Sequence, residues 1–137
     1  MTPSCPRKLV VHITVRERAV VVSLAGEARS DNLQPLELAL ARLLARRVPL
    51  VVLDCSALTL LSSLAMGLLI GLRRDLGRWQ GRVKLAGVSP LIEEALRVTR
   101  IIELFEVHAT VEQALAAVAD VPLLETTVTP NLALEKR

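Results

Sequence analysis

The residues best suited to chemistry are two neighbouring serines, Ser62 and Ser63, which begin an apolar helical stretch. A buried strand precedes them and ends in an Asp-x-Ser pair, Asp54 and Ser56, which is followed by a short loop. A serine in the first turn of a helix lies at the positive end of the helix dipole, where a phosphate group is well tolerated. The pattern therefore indicates a hydroxyl group that can be modified.

Other signals for catalysis are missing from the sequence. It contains no glycine-rich phosphate loop, no dinucleotide-binding fingerprint and no serine nucleophile elbow. Neither His12 nor His108 has an evident serine or cysteine partner, and with Cys5 and Cys55 they lack the spacing of a metal site. We therefore expect a protein that is not an enzyme and that needs no cofactor or metal.

The composition indicates one domain of 137 residues with an aliphatic core. Two cysteines form no disulfide framework and no secretory signal is evident, so we expect a cytoplasmic protein. The net charge of +3 comes from scattered arginines without an aromatic stacking platform, which argues against direct nucleic-acid binding. The apolar run over 48–72 contains Asp54 and several hydroxyls, which favours a strand and then a helix over a membrane span.

The hydrophobic pattern predicts a β-hairpin followed by the order αβαβαβα. The hairpin strands are predicted at 9–15 and 19–24, and further strands at 49–53, 82–86 and 105–108. Helices are predicted to begin at Ser30-Asp31-Asn32, Ser62-Ser63, Ser89-Pro90 and the capping box of Thr110 and Gln113. This alternation predicts an α/β domain with a mixed, mostly parallel sheet of about five strands and about four helices.

The pattern also sets the expected limits of the domain. Residues 1–8 are expected to form an N-terminal extension and residues 9–119 the single domain. Beyond Asp120 the periodicity is lost and Pro122 and Pro130 interrupt the chain, so residues 120–137 are expected to form a loosely ordered tail.

The segment around Ser63 resembles the STAS domain, the family of anti-sigma factor antagonists and related partner-switching proteins. The hallmark of that family is an apolar strand ending in Asp-x-Ser, then a loop, then Asp-Ser-Ser-Gly-Leu-Gly or a close variant. This chain reads Asp54-Cys55-Ser56 and then LLSSLAMG over 60–67. The segments 24–27 and 81–115 fit the family as well, so the STAS-like region covers roughly residues 9–119.

The resemblance implies a signalling protein, an anti-sigma factor antagonist that is switched by phosphorylation at Ser63. The unmodified form would bind an anti-sigma factor that is also a serine kinase. The phosphorylated form would be released, and a phosphatase would reset it. The residues expected to contact the partner or shape the site are Asp54, Ser56, Ser62, Leu64 and Met66.

The motif departs from the family pattern near Ser63. Ser62 stands where many relatives have Asp, and Leu64 and Ala65 make the helix start bulkier. These departures favour an alternative, a constitutive STAS adaptor such as an accessory subunit of a transporter ATPase or a signalling scaffold, with no phosphorylation. Judged locally, Ser62 is a helix cap, and Asp54 is a turn residue that bonds to Ser56. The sequence leaves the partner's identity and the oligomeric state open.

Overall fold

The fold is built on one five-stranded sheet in the computed structural model, which describes residues 8–16 and 19–116. In order across the sheet, the strands are β1 (Leu9–Val15), β2 (Val20–Ala28), β3 (Leu50–Leu61), β4 (Arg82–Ala86) and β5 (Glu106–His108). β1 and β2 are antiparallel, whereas β2 to β5 run parallel. The predicted hairpin and the mixed, mostly parallel sheet are confirmed.

The described part of the chain also contains four α-helices. They are α1 (Gln34–Ala45), α2 (Ser63–Leu76), α3 (Pro90–Val98) and α4 (Val111–Ala116). Since α1, α2 and α3 each connect neighbouring parallel strands in the same direction across the sheet, right-handed crossovers place all three on one face. The short α4 lies on the other face, where the buried Ala114 packs against the sheet.

The main core lies between the sheet and the three crossover helices. Val22, Leu53 and Leu85 are aligned neighbours on β2, β3 and β4, and none is more than 1% exposed. Leu36 from α1 and Leu69 from α2 meet this row in the same cluster. Each such side chain contributes about 1.5–3 kcal/mol by leaving water, so this layer holds α1 and α2 against the sheet.

Strand β3 is longer than the sequence pattern predicts. Its first half pairs with β4 as far as Asp54, whereas its second half continues to Leu61 beside β2 alone. β2 likewise extends to Ala28. Two register shifts in the β2–β3 pairing break the alternation of buried and exposed positions. The predicted loop between Ser56 and Ser62 is therefore wrong, since β3 continues through this segment to Leu61.

The predicted cap of α1 is also wrong. The helix begins after Leu33, and no side chain caps it. The side-chain oxygen of Asn32 instead accepts a 2.8 Å hydrogen bond from the backbone N–H of Arg29, and its amide donates to the carbonyl of Glu27 at 2.9 Å. The polar run at 30–32 belongs to the turn that leaves β2, because Asn side chains stabilise turns as readily as helix ends.

The other boundaries agree closely with prediction. α3 begins after its Ser89 cap, and β4 covers 82–86 as expected. α2 ends at Leu76 and is followed by a short 3₁₀ turn. The extension up to residue 7, the end of the last helix and the tail at 120–137 lie outside the described residues. No helix within the described ranges is long and apolar enough to cross a membrane.

Candidate functional site

The start of α2 is fixed by Ser62. Its backbone is extended (φ −77°, ψ 166°), and its hydroxyl oxygen accepts a 3.2 Å hydrogen bond from the N–H of Ala65. The N–H of Ser62 donates to the carbonyl of Ala28 at 2.9 Å, which ties the helix start to the end of β2. Ser62 is therefore the cap, as predicted, and its hydroxyl is engaged.

Ser63 is the first helical residue and is exposed to solvent. Its hydroxyl makes no hydrogen bond within the described part of the chain. The two serines thus have separate tasks: Ser62 holds the backbone, and Ser63 presents a hydroxyl at the positive end of the helix dipole. The residue at the first helical position is therefore accessible from solvent, whereas the cap is not free.

The apolar residues around Ser63 divide between surface and core. Leu64 is 54% exposed beside Ser63, whereas Met66 is only 5% exposed and belongs to the main core. Met66 therefore supports the helix from beneath and offers no surface to a partner. Leu60, which sequence reasoning missed, is 40% exposed just before the cap. The only hint in the sequence is that Leu60 is apolar although its segment is predicted to be a loop.

Asp54 and Ser56 contact each other rather than Ser63. One carboxylate oxygen of Asp54 accepts hydrogen bonds from the N–H of Ser56 at 3.1 Å and from its hydroxyl at 2.8 Å. Ser62 follows Ser56 by six residues, which corresponds to roughly 20 Å of extended strand at about 3.3 Å per residue. Ser56 instead packs beside Gly87, which belongs to the loop before α3.

The remaining reactive group near this segment is the thiol of Cys55. Burial, and then the charge of Asp54, raise the pKa of Cys55 to about 12. The thiol is therefore protonated at neutral pH and is not a nucleophile. Within residues 8–16 and 19–116, no three His, Cys, Asp or Glu side chains are grouped so that they could hold a metal ion.

A separate polar cluster lies under α4, on the opposite face of the sheet. The Nζ atom of Lys84, a residue only 1% exposed, is 3.4 Å from the carbonyl oxygen of Ala114 and 3.5 Å from a carboxylate oxygen of Glu106. Arg82 and His108 also contact this carboxylate. Burial alone would raise the pKa of Glu106, but these partners together lower it. The contact between Lys84 and the carbonyl of Ala114 links this cluster to α4.

Comparison with known proteins supports the same family throughout the domain. The family model described as the STAS domain matches residues 11–114. An anti-sigma factor antagonist from Mycobacterium paratuberculosis has a similar structure, with 26% identity, a TM-score of 0.74, and coverage of 82% of this chain and 96% of that one. No protein of curated function matched the sequence.

Two further solved structures share the fold at lower identity. The phosphorylated form of the Bacillus cell fate determinant SpoIIAA is 21% identical, with a TM-score of 0.64 over 80% of this chain and 99% of that one. An anti-sigma-factor antagonist (STAS) domain protein from Planctomyces limnophilus is 24% identical, with a TM-score of 0.65 over 80% and 97%.

Proposed function

The chain belongs to the STAS domain family, and from that premise we propose that it is an anti-sigma factor antagonist whose binding is switched by phosphorylation at Ser63. The unmodified protein binds an anti-sigma factor that is also a serine kinase. Phosphorylation by that kinase releases the protein, and a phosphatase restores the binding form. In this scheme the chain catalyses nothing, and the exchange of partners takes place in the cytoplasm.

The observation that carries the proposal is the exposed hydroxyl of Ser63 beside a cap supplied by Ser62. A kinase needs an accessible hydroxyl, and here no hydrogen bond to the described residues has to break before transfer. Phosphate adds a charge of about −1.5 to −2, which the unpaired N–H groups of the first helical turn accommodate. The fold therefore tolerates the modification, and its effect falls on the binding surface.

The surroundings of Ser63 explain how a phosphate would change binding. Leu60 and Leu64 are partly exposed on either side of the serines, so a partner can bury them. If a partner covered this apolar contact, a phosphate beside it would lose its hydration water, and its negative charge would be buried without a positive partner. Both changes are unfavourable. The unmodified surface suits an apolar interface, and the phosphorylated surface does not.

The test is a pull-down from native lysate with the wild type, Ser63→Ala and Ser63→Glu, read by mass spectrometry. We expect a kinase-like anti-sigma factor to bind the wild type and Ser63→Ala but not Ser63→Glu. Incubation of the recovered kinase and ATP with the wild type should add one phosphate, and Ser63→Ala should remain unmodified. Equal retention of one partner by all three proteins would rule out the switch.

The alternative function is a constitutive STAS adaptor, for example on a transporter ATPase or a signalling scaffold. The replacement of the family's Asp by Ser62 and the bulky, exposed Leu64 favour it. An adaptor predicts a partner that Ser63→Glu does not displace and that Leu64→Ser weakens. The switch predicts that both substitutions reduce binding, so Ser63→Glu separates the two proposals, whereas Leu64→Ser tests whether this surface contacts the partner under either of them.

A further inference from the structure

Helix α3 presents an apolar stripe to solvent. Leu91 and Val98 are 71% and 70% exposed, the two highest values among the large apolar side chains of the described residues. Seven residues separate them, which is close to two helical turns, so they lie on the same face. The other face of α3 is covered, because Ile92 and Leu96 are buried in the main core. The stripe is therefore not required by the fold of one copy.

The charges of α3 are divided between its two ends. Glu93 and Glu94 lie in the first half, and Arg97 and Arg100 lie at the end. Arg97 forms an ion pair with Glu93 one turn away. Neither Glu94 nor Arg100 has an ion-pair partner among residues 8–16 and 19–116. One half of the helix surface is thus acidic and the other half basic.

We propose that a second copy of this chain covers the stripe, with the two α3 helices packed antiparallel about a twofold axis between Glu94 and Ala95. Leu91 of each copy then packs on Val98 of the other, because both lie equally far from the axis. The small side chain of Ala95, partly exposed between them, lets the helices approach closely. Such an interface is isologous, so a single stripe supplies both surfaces.

The charges select the antiparallel orientation. A parallel pair would place acidic half on acidic half, whereas the antiparallel pair places each acidic half on a basic one. Glu94 then lies within about two residues, roughly 3 Å along the axis, of Arg97 of the second copy. The helix is about 13 Å long. It buries less than the roughly 800 Å² per partner of a standard interface, so association is weak and depends on concentration.

This inference does not depend on phosphorylation at Ser63. It is tested by measuring how the purified protein associates with itself. Sedimentation velocity from about 10 μM to about 1 mM covers the range of a weak self-association. We expect the average mass of the wild type to rise toward that of a dimer, and Leu91→Ser and Val98→Ser to remain monomeric. Leu38→Ser, at a 56% exposed leucine on α1, is the matched control and should associate like the wild type.

Charge-reversal variants test the antiparallel orientation of the two α3 helices. Glu94→Arg and Arg97→Glu should each weaken self-association about tenfold, and an equimolar mixture of the two variants should recover most of it. Unfolding midpoints measured for every variant show whether a loss of association reflects a loss of folding. A wild type that stays monomeric throughout, or equal association by Leu91→Ser, would overturn the proposal. If the wild type is monomeric but Leu91→Ser loses the anti-sigma factor, the stripe belongs to that partner and the proposal is also wrong.

Discussion

Gly87 lies directly against Ser56. A Cβ atom on Gly87 would be 3.0 Å from the Cβ of Ser56 and 3.3 Å from its Cα, and the φ angle of Gly87 is +69°. The N–H of Gly87 also donates a 3.1 Å hydrogen bond to the carbonyl of His108. This glycine therefore joins β3, the loop before α3 and β5 at one point, and a larger residue would disturb all three.

We expect Gly87→Ala to lower the free energy of unfolding by about 1–3 kcal/mol, because the methyl group meets Ser56 and the left-handed backbone disfavours a side chain. Gly67→Ala is the matched control. Gly67 lies inside α2, and a Cβ there would meet no atom within 4 Å. Alanine should raise the stability at that position by about 0.5–1 kcal/mol. Urea unfolding of both variants measures the difference, and a loss of equal size in both would contradict this account.

The adjacent serines at the start of α2 should respond differently to substitution. Ser62→Ala removes the acceptor for the N–H of Ala65 and should lower the free energy of unfolding by about 1 kcal/mol. Ser63→Ala removes an exposed hydroxyl and should change it by less than about 0.5 kcal/mol. The same urea measurement applies. A larger loss in Ser63→Ala would mean that Ser63, and not Ser62, carries the cap.

The starts of α2 and α3 could be predicted because a local signal sets them. In both helices a serine, Ser62 or Ser89, accepts a hydrogen bond from the N–H three residues later. The start of α1 could not be predicted in this way. The polar residues that precede it, at 30–32, belong to the turn that leaves β2. The cap position is instead occupied by Leu33, which is buried in the core. Tertiary packing overrides the local signal at that point.

The cap at Ser62 could be predicted from the sequence, but the wider geometry around Ser63 could not. The exposure of Leu64 and the burial of Met66 depend on how α2 lies on the sheet, which a motif does not contain. The extension of β3 to Leu61 depends on pairing with β2 across two register shifts, a contact between distant parts of the chain. For the same reason, the distance between the Asp54–Ser56 pair and Ser63 could not be read from their closeness in sequence.

The buried thiol of Cys55 gives a prediction about reactivity. With its pKa raised to about 12, the thiol is protonated at pH 8, and only the thiolate reacts. In a Cys5→Ser background, Cys55 should react with a thiol reagent at least about a hundredfold more slowly in native protein than in urea. Burial raises the pKa of Cys55 from 9.0 in the unfolded chain to about 12 in the folded protein. The stability that the protonated Cys55 thiol contributes is therefore fully present below pH 9 and is lost as the pH rises toward 12. Rapid labelling of native protein would show that the strand opens readily.

The cluster under α4 predicts how stability depends on acid. The pKa of Glu106 is lowered in the folded protein, so the stability it contributes is present above pH 4.5, its ordinary pKa, and is lost as the pH falls through the folded value. Glu106 is partly exposed, so Glu106→Gln should cost only about 0.5–1 kcal/mol at pH 7. The cost should disappear toward pH 3. Unfolding at both pH values measures it.

Glu112→Gln is the control for that experiment. Its side chain is 77% exposed and pairs with Arg16 at 3.5 Å. We expect a change below about 0.5 kcal/mol at either pH. Losses of the same size in Glu106→Gln and Glu112→Gln would mean that the ion pairs of these two glutamates contribute equally to stability, which would contradict a special role for the cluster around Lys84.

The separation of tasks between Ser62 and Ser63 has an evolutionary consequence. Substitutions that would harm the folding of this helix fall on Ser62, whose hydroxyl caps it, whereas Ser63 contributes no hydrogen bond to the described part of the molecule. A lineage can therefore lose or regain a modifiable hydroxyl by changing one codon, without a compensating change in the core. Under the proposed switch, selection for regulation and selection for folding act on adjacent but different residues, so related domains can diverge in control while keeping the same architecture.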